Sequence, residues 1–293
     1  MLGPLGVAVT STGNVMVADY TGTVRVLSDV DGQVVGAANA NVGFASAVGL
    51  TNLGGVVYMS SQNHSIFKMN NDGTINSTLN NTIISTTGIT NNGVDIFADG
   101  NGGPGGAGIY RVNATSGFAA LLVSGSFDGL TVDIAHGIIY AAASSAGHVL
   151  GYSTVSGALV FDSGSIDTGI DGIAIGQGTL AGNLFINDNN GSLYEFNLGT
   201  SVLTTIANGG SRGDFVAVDT SNGSLFITQS DRVLRLTAPS GGSFATPEPG
   251  TIVTMLGGVG LLALGRRKRG SSLCGDNAGA TAEERIVNRL AAL

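Results

Sequence analysis

Three aspartates are the residues best placed for chemistry. Asp128, Asp171 and Asp214 recur 43 residues apart, each directly before a short apolar run. Carboxylates brought together at one place would make an oxygen-rich site for a hard cation such as Ca²⁺. A plainer reading is that Asp at a strand start is ordinary turn chemistry. The turn reading is preferred, because the matching positions earlier in the chain hold Leu5, Val48 and Thr87. Other chemistry is sparse. His64 and His148 stand before equivalent strands, and His136 sits in the turn Ala135-His136-Gly137. No paired general base and nucleophile is evident, so general acid–base catalysis has nothing to rest on. The glycine-rich stretch from Gly100 to Gly106 lacks the Gly-Lys-Ser/Thr ending of a phosphate loop. Cys274 is the sole cysteine, which excludes an internal disulfide and a Cys-based metal site.

The elements that must position these residues repeat. One unit recurs six times, starting at Gly6, Gly49, Gly88, Gly129, Gly172 and Phe215, with steps of 43, 39, 41, 43 and 43 residues. Each unit opens with a short apolar run such as Gly6-Val7-Ala8-Val9 or Gly172-Ile173-Ala174-Ile175. A second run follows a Gly or Asn turn, for example Val15-Met16-Val17-Ala18 and Leu184-Phe185-Ile186. A third alternates apolar and polar residues, as in Ile109-Tyr110-Arg111-Val112. Weaker fourth runs such as Gln33-Val34-Val35 and Ala158-Leu159-Val160 come after further turns. Period-2 patterning, β-branched enrichment and turn punctuation make these strands. Four antiparallel strands per unit of about 40 residues predict a propeller blade. A single sheet buries neither face alone, so the blades must stack around an axis. The expectation is an all-β, six-bladed propeller over residues 1–236.

Composition agrees. Gly reaches 48 of 293 residues and charged residues only 11%, which suits strands joined by many turns. Residues 1–245 carry six basic residues against sixteen acidic ones. So acidic a body repels phosphate backbones, which excludes nucleic acid as a partner.

The units resemble NHL-type and gluconolactonase-like propellers. The first matches best, through Pro4-Leu5-Gly6-Val7-Ala8-Val9 and then Gly13-Asn14-Val15-Met16-Val17-Ala18-Asp19. The resemblance implies the architecture. In gluconolactonase-like members it also implies a metal in the central channel held by Glu, Asn and Asp. Asp128, Asp171 and Asp214 stand at the analogous positions, but no matching Glu is identifiable, so catalytic roles are not carried over.

Beyond residue 236 the pattern changes. Residues 237–246 read as a flexible linker rich in Ser and Gly. Pro247-Glu248-Pro249 follows, then an apolar stretch over 251–265, then Arg266-Arg267-Lys268-Arg269. Order and spacing closely resemble the PEP-CTERM sorting signal. That resemblance implies export, a membrane helix and processing by an exosortase-type enzyme near Pro247, Glu248 and Pro249. Fifteen residues at about 1.5 Å each make a helix of about 22 Å, short for a hydrocarbon core of about 30 Å. A temporary anchor tolerates this, with the cations snorkelling. Positive residues stay cytoplasmic, so the propeller is expected on the periplasmic or outer side. Residues 270–293 depart from the family, with a capping box at Thr281–Glu284 and an apolar face through Ile286, Val287, Leu290 and Leu293. They read as a short amphipathic helix on the cytoplasmic side. No signal peptide is visible before Gly3, and the first unit opens on an inner strand, so a truncated N-terminus is expected. The sixth unit has only a weak outer strand near Gly242–Ala245.

The sequence therefore favours an exported, non-enzymatic propeller of the envelope or extracellular matrix, binding polysaccharide or envelope proteins. The alternative is a metal-dependent lactonase or related hydrolase of the gluconolactonase-like kind.

Overall fold

A computed structural model describes residues 3–35, 40–41, 46–62, 66–237 and 244. Six small antiparallel sheets make up the molecule. The first contains β1 (Pro4–Val9), β2 (Val15–Asp19), β3 (Thr23–Leu27) and β4 (Ala40–Asn41); the second β5 (Ala47–Leu53), β6 (Val56–Ser61), β7 (Ile66–Met69) and β8 (Ile75–Asn80). The third contains β9 (Ile89–Asn91), β10 (Asp95–Gly100), β11 (Gly108–Asn113) and β12 (Ala119–Ser124); the fourth β13 (Leu130–Asp133), β14 (Ile138–Ala143), β15 (His148–Ser153) and β16 (Leu159–Asp162). The fifth holds β17 (Ile170–Ile175), β18 (Asn183–Asp188), β19 (Leu193–Asn197) and β20 (Val202–Ala207), and the sixth β21 (Gly213–Asp219), β22 (Ser224–Gln229) and β23 (Arg232–Thr237). Each sheet pairs its strands in sequence order. This is the expected six-bladed all-β propeller, with no α-helix among the described residues.

One fourth strand differs from expectation. Val34 only bridges Leu27, and the ladder partner of β3 is β4 instead. The loop between them closes on its own turn, with Gln33 N–H bonded to Asp31 Oδ1 at 3.1 Å. Among the described residues the sixth blade has three strands. The sorting-signal residues Pro247, Glu248, Pro249, Arg266, Arg267, Lys268 and Arg269, the apolar stretch 251–265, the tail 270–293 and His64 lie outside the described residues.

Six apolar clusters hold the ring, one at each blade interface. Met16, Ala18, Leu50 and Met59 join blades 1 and 2, while Tyr140, Ile173, Ile175 and Phe196 join blades 4 and 5. Val7, Val15, Val17 and Phe226 join blade 1 to blade 6 and so close the ring. The closure is hydrogen-bonded too: Gly3 N–H donates to Ser230 O at 3.0 Å, and Thr228 Oγ1 donates to Leu5 O at 2.8 Å. Phe244 packs edge-on against Phe185, centroids 5.8 Å apart, over the core between blades 5 and 6.

The repeated glycines are explained at the axis. A Cβ on Gly6, Gly88, Gly129 or Gly172 would stand 1.9, 2.1, 2.1 or 2.0 Å from the carbonyl oxygen of Val48, Asp128, Asp171 or Asp214. Each of those residues begins the inner strand of the next blade. Neighbouring inner strands touch backbone to backbone there, and only a residue without a side chain fits.

Candidate functional site

Inner strands all run the same way through the ring, so the six residues at their starts share one mouth of the channel. These are Leu5, Val48, Thr87, Asp128, Asp171 and Asp214. Half the ring is neutral and half is acidic. A small kink lifts four of the inner strands off their neighbours here, visible as register shifts between Pro4 and Val7, Ala47 and Leu50, Ile170 and Ile173, and Gly213 and Val216. Amides freed by a kink need other partners. In four blades a polar residue at the matching place on the second strand serves an inner strand. Ser60 accepts from Gly49 N at 2.8 Å, Asp99 from Gly88 N at 2.9 Å and Thr228 from Phe215 N at 2.8 Å, while Asn187 donates to Phe215 O of the next blade at 3.2 Å. Ala18 and Ala142 occupy the same place in blades 1 and 4.

The three expected aspartates do meet. Asp128 and Asp171 hydrogen-bond through their carboxyl groups, and Asp171 and Asp214 feel each other's charge. Asp171 is 2% and Asp214 4% exposed. Burial, then the charges of Asp128 and Asp214, push the Asp171 carboxyl up to about 9. Burial pushes Asp214 up to about 6 against the pull of Arg212, and raises Asp128 as well. Asp99 belongs to the same group. It is fully buried, and burial followed by the charge of Asp128 holds it well above the usual carboxylate range. Its carboxylate accepts from Thr87 Oγ1 at 2.7 Å and from Thr87 N at 2.8 Å.

Arg212 covers this group. Its Nη2 lies 2.7 Å from Asp214 Oδ1 and 3.4 Å from Asp171 Oδ2, and its Nε donates to Asn189 Oδ1 at 2.6 Å. The guanidinium supplies the positive charge that a cation would bring. Among the described residues, no group of three or more His, Cys, Asp or Glu side chains is arranged to hold a metal ion. With Arg212 paired to Asp171 and Asp214, these residues as they stand do not fit one.

Asp99 and Arg212 were not signalled by the sequence. Asp99 lies inside a second strand where other blades carry Ala, Ser, Asn or Thr. Arg212 is the only basic residue of the body within two positions of an axial aspartate, a local signal that charge spacing alone offers. The remaining histidines are peripheral to this mouth. His136 Nδ1 pairs with Asp133 at 2.7 Å, and His148 Nδ1 with Asp162 at 2.8 Å on an outer strand pair. Asp19 and Asp188 cap turns as their positions suggest, Asp19 Oδ1 accepting from Thr21 N at 2.9 Å and Asp188 Oδ1 from Asn190 N at 2.7 Å.

At the opposite mouth the channel widens into a space of about 370 Å³ lined by Thr51, Asn52, Asn91, Thr131 and Gln177 among others. Side chains staple neighbouring blades there. Asn52 Nδ2 donates to Val9 O at 3.0 Å, and Asn91 Nδ2 to Asn52 O at 2.9 Å.

Comparison with known families bears on the far end of the chain. Residues 245–269 match the model of the PEP-CTERM protein-sorting motif. The tail is a PEP-CTERM motif. A chain that joins a PEP-CTERM motif to this fold is an exported propeller, anchored by its C-terminal segment and sorted by an exosortase. No curated protein matches the chain. Among solved structures, a gluconolactonase from Xanthomonas campestris is 15% identical with a TM-score of 0.62, covering 79% of this chain and 84% of that one. A virginiamycin B lyase from Staphylococcus aureus is 20% identical, TM-score 0.56, over 81% and 82% of the two chains. A protein of unknown function from Bacteroides thetaiotaomicron gives 13% and 0.64, over 80% and 69%. At these identities the likeness is one of fold, and the PEP-CTERM motif alone speaks of fate.

Proposed function

We propose that this chain is a binding module of the cell envelope or extracellular matrix, held at the membrane through residues 251–265 until an exosortase-type enzyme acts near Pro247-Glu248-Pro249. The propeller of residues 1–236 then faces the periplasm or the exterior, with Arg266–Arg269 left on the cytoplasmic side, and residues 237–246 act as the linker. One observation carries the non-enzymatic reading. Arg212 engages both Asp171 and Asp214, so the acidic mouth satisfies itself instead of presenting free groups to a substrate. The expected partners are polysaccharide or envelope proteins. The test is retention of the purified full-length chain on matrix polysaccharide from the producing cells, compared with turnover of a panel of sugar lactones. Retention without turnover supports the module. Turnover without retention overturns it.

The convergence of Asp128, Asp171 and Asp214 favours the second reading, a Ca²⁺-dependent lactonase or related hydrolase. That reading requires Arg212 to swing away when the ion arrives. Ca²⁺ would then raise Tm and support lactone turnover, both abolished by chelation. Asp171→Asn would lose both responses.

A further inference from the structure

Blade 5 breaks the repeat at the mouth opposite the aspartates. Its first two strands are joined by a longer connection carrying a 3₁₀ turn, Gly178–Leu180, the only one among the described residues. Leu180 is fully buried and pins the turn. The connection walls a groove of about 550 Å³ between blades 4 and 5. The groove and the central channel share Val132, Ile134, Ile175 and Gln177 in their linings, so the two spaces adjoin. Its size falls in the range of roughly 300–1,000 Å³ usual for small-ligand sites.

Three polar side chains of blade 4 converge on it. Asp133 accepts from His136 N at 3.2 Å and from the His136 ring at 2.7 Å. A carboxylate only accepts, so Nδ1 carries the proton and Nε2 is left as an acceptor in the neutral ring. Tyr140 lines the same groove at 4% exposure, and its hydroxyl has no hydrogen-bond partner among the described residues. Burial, then the charge of nearby Asp133, raises its pKa, so it stays protonated and able to donate. Gln177 adds an amide on the opposite wall, and Ile134, 57% exposed, adds an apolar face. Among the described residues neither Lys nor Arg lines the groove, and its one formal charge is negative, which disfavours anions.

We propose that this groove binds a neutral, hydroxyl-rich ring, one sugar unit of a polysaccharide, with Tyr140, His136, Asp133 and Gln177 meeting its hydroxyls and Ile134 and Ile175 meeting its C–H face. Hydroxyls both donate and accept, which matches a site holding a free donor, a free acceptor and an amide together. The inference rests on the binding-module reading and gives it a place and a ligand class.

The experiment is calorimetric titration of the full-length chain with cellohexaose, laminarihexaose and mannohexaose, with trigalacturonate as the anionic probe. At least one neutral hexasaccharide is expected to bind, and trigalacturonate to bind more weakly. Tyr140→Phe keeps the ring and removes only the unpartnered hydroxyl, so Tm is expected unchanged while affinity falls about 3- to 10-fold. Gln177→Ala, on the exposed connection, is expected to fall by a similar factor. Neutral binding untouched by both variants overturns this site and leaves the module reading standing. Trigalacturonate binding as tightly as the neutral sugars overturns the ligand class. If no hexasaccharide binds, the site fails, and retention of the wild-type chain on whole matrix polysaccharide decides separately whether the module reading fails with it.

Discussion

Single residues at the axis set two constraints that can be measured. The first is steric. A Cβ on Gly129 would lie 2.1 Å from Asp171 O and 2.9 Å from Gly172 Cα, both backbone atoms that no rotamer change can move. Gly129→Ala is therefore expected to cost roughly 3 kcal/mol, read as a lowered denaturation midpoint at unchanged m-value. An unchanged midpoint would mean that the blades have slack at the axis. The second is electrostatic. Asp171 and Asp214 titrate in the fold at about 9 and about 6, against 3.8 for a free carboxyl. Between those values the folded state holds protons that the unfolded chain has lost, so stability falls as pH rises from about 4 toward 9. Asp128 and Asp99 shift the same way, while exposed Asp31, Asp72, Asp162 and Asp231 shift down and act only below about pH 4. Tm is thus expected to be higher at pH 5 than at pH 8.5, and Asp171→Asn should flatten that slope. A Tm that climbs over this range would sink the account.

At the scale of elements, the blade was legible and its irregularities were not. Inner, second and third strands announce themselves because apolar alternation is a local property of each run. Val34 shows the limit. Its run Gln33-Val34-Val35 has strand composition, yet β4 took the ladder position because pairing with Thr23 and Val24 depends on where the loop ends. The axial cluster was legible in its three aspartates, whose spacing follows the repeat. It was illegible in Asp99 and Arg212, whose places depend on which face of a strand or loop meets the axis. The kink opposite the second strand is such a case. Thr228 there links its own blade to Leu5 of the first, accepting from Phe215 N and donating to Leu5 O. Thr228→Val keeps the shape and removes both bonds, leaving a part-buried amide unpaired. It should cost about 1–3 kcal/mol and should loosen the seam between blades 6 and 1. Amide exchange is expected to quicken for Phe215 and Gly3 and to stay unchanged at Leu130, on the other side of the ring.

For the whole molecule, the described residues close the ring and the sorting motif lies beyond them. Six interface cores and the bonds from Ser230 and Thr228 to blade 1 close the ring using residues up to Thr237, with Phe244 added as a cover. Among the described residues, the bonds that close the ring involve none beyond Thr237. As a helix of about 1.5 Å per residue the apolar stretch would span about 22 Å, below the usual core of about 30 Å, and on that expectation weak anchorage would suit a segment that is later cut away. Replacing Pro247, Glu248 and Pro249 by Ala should therefore leave the propeller's thermal transition where it was and change only its destination. Wild-type chain is expected to convert, in cells that make the processing enzyme, from a membrane-bound form to a shorter released one. The triple variant should stay full-length in the membrane fraction. A variant released and shortened like wild type would show that cutting ignores the motif, while a variant with a lowered Tm would show that the tail contributes to the ring after all.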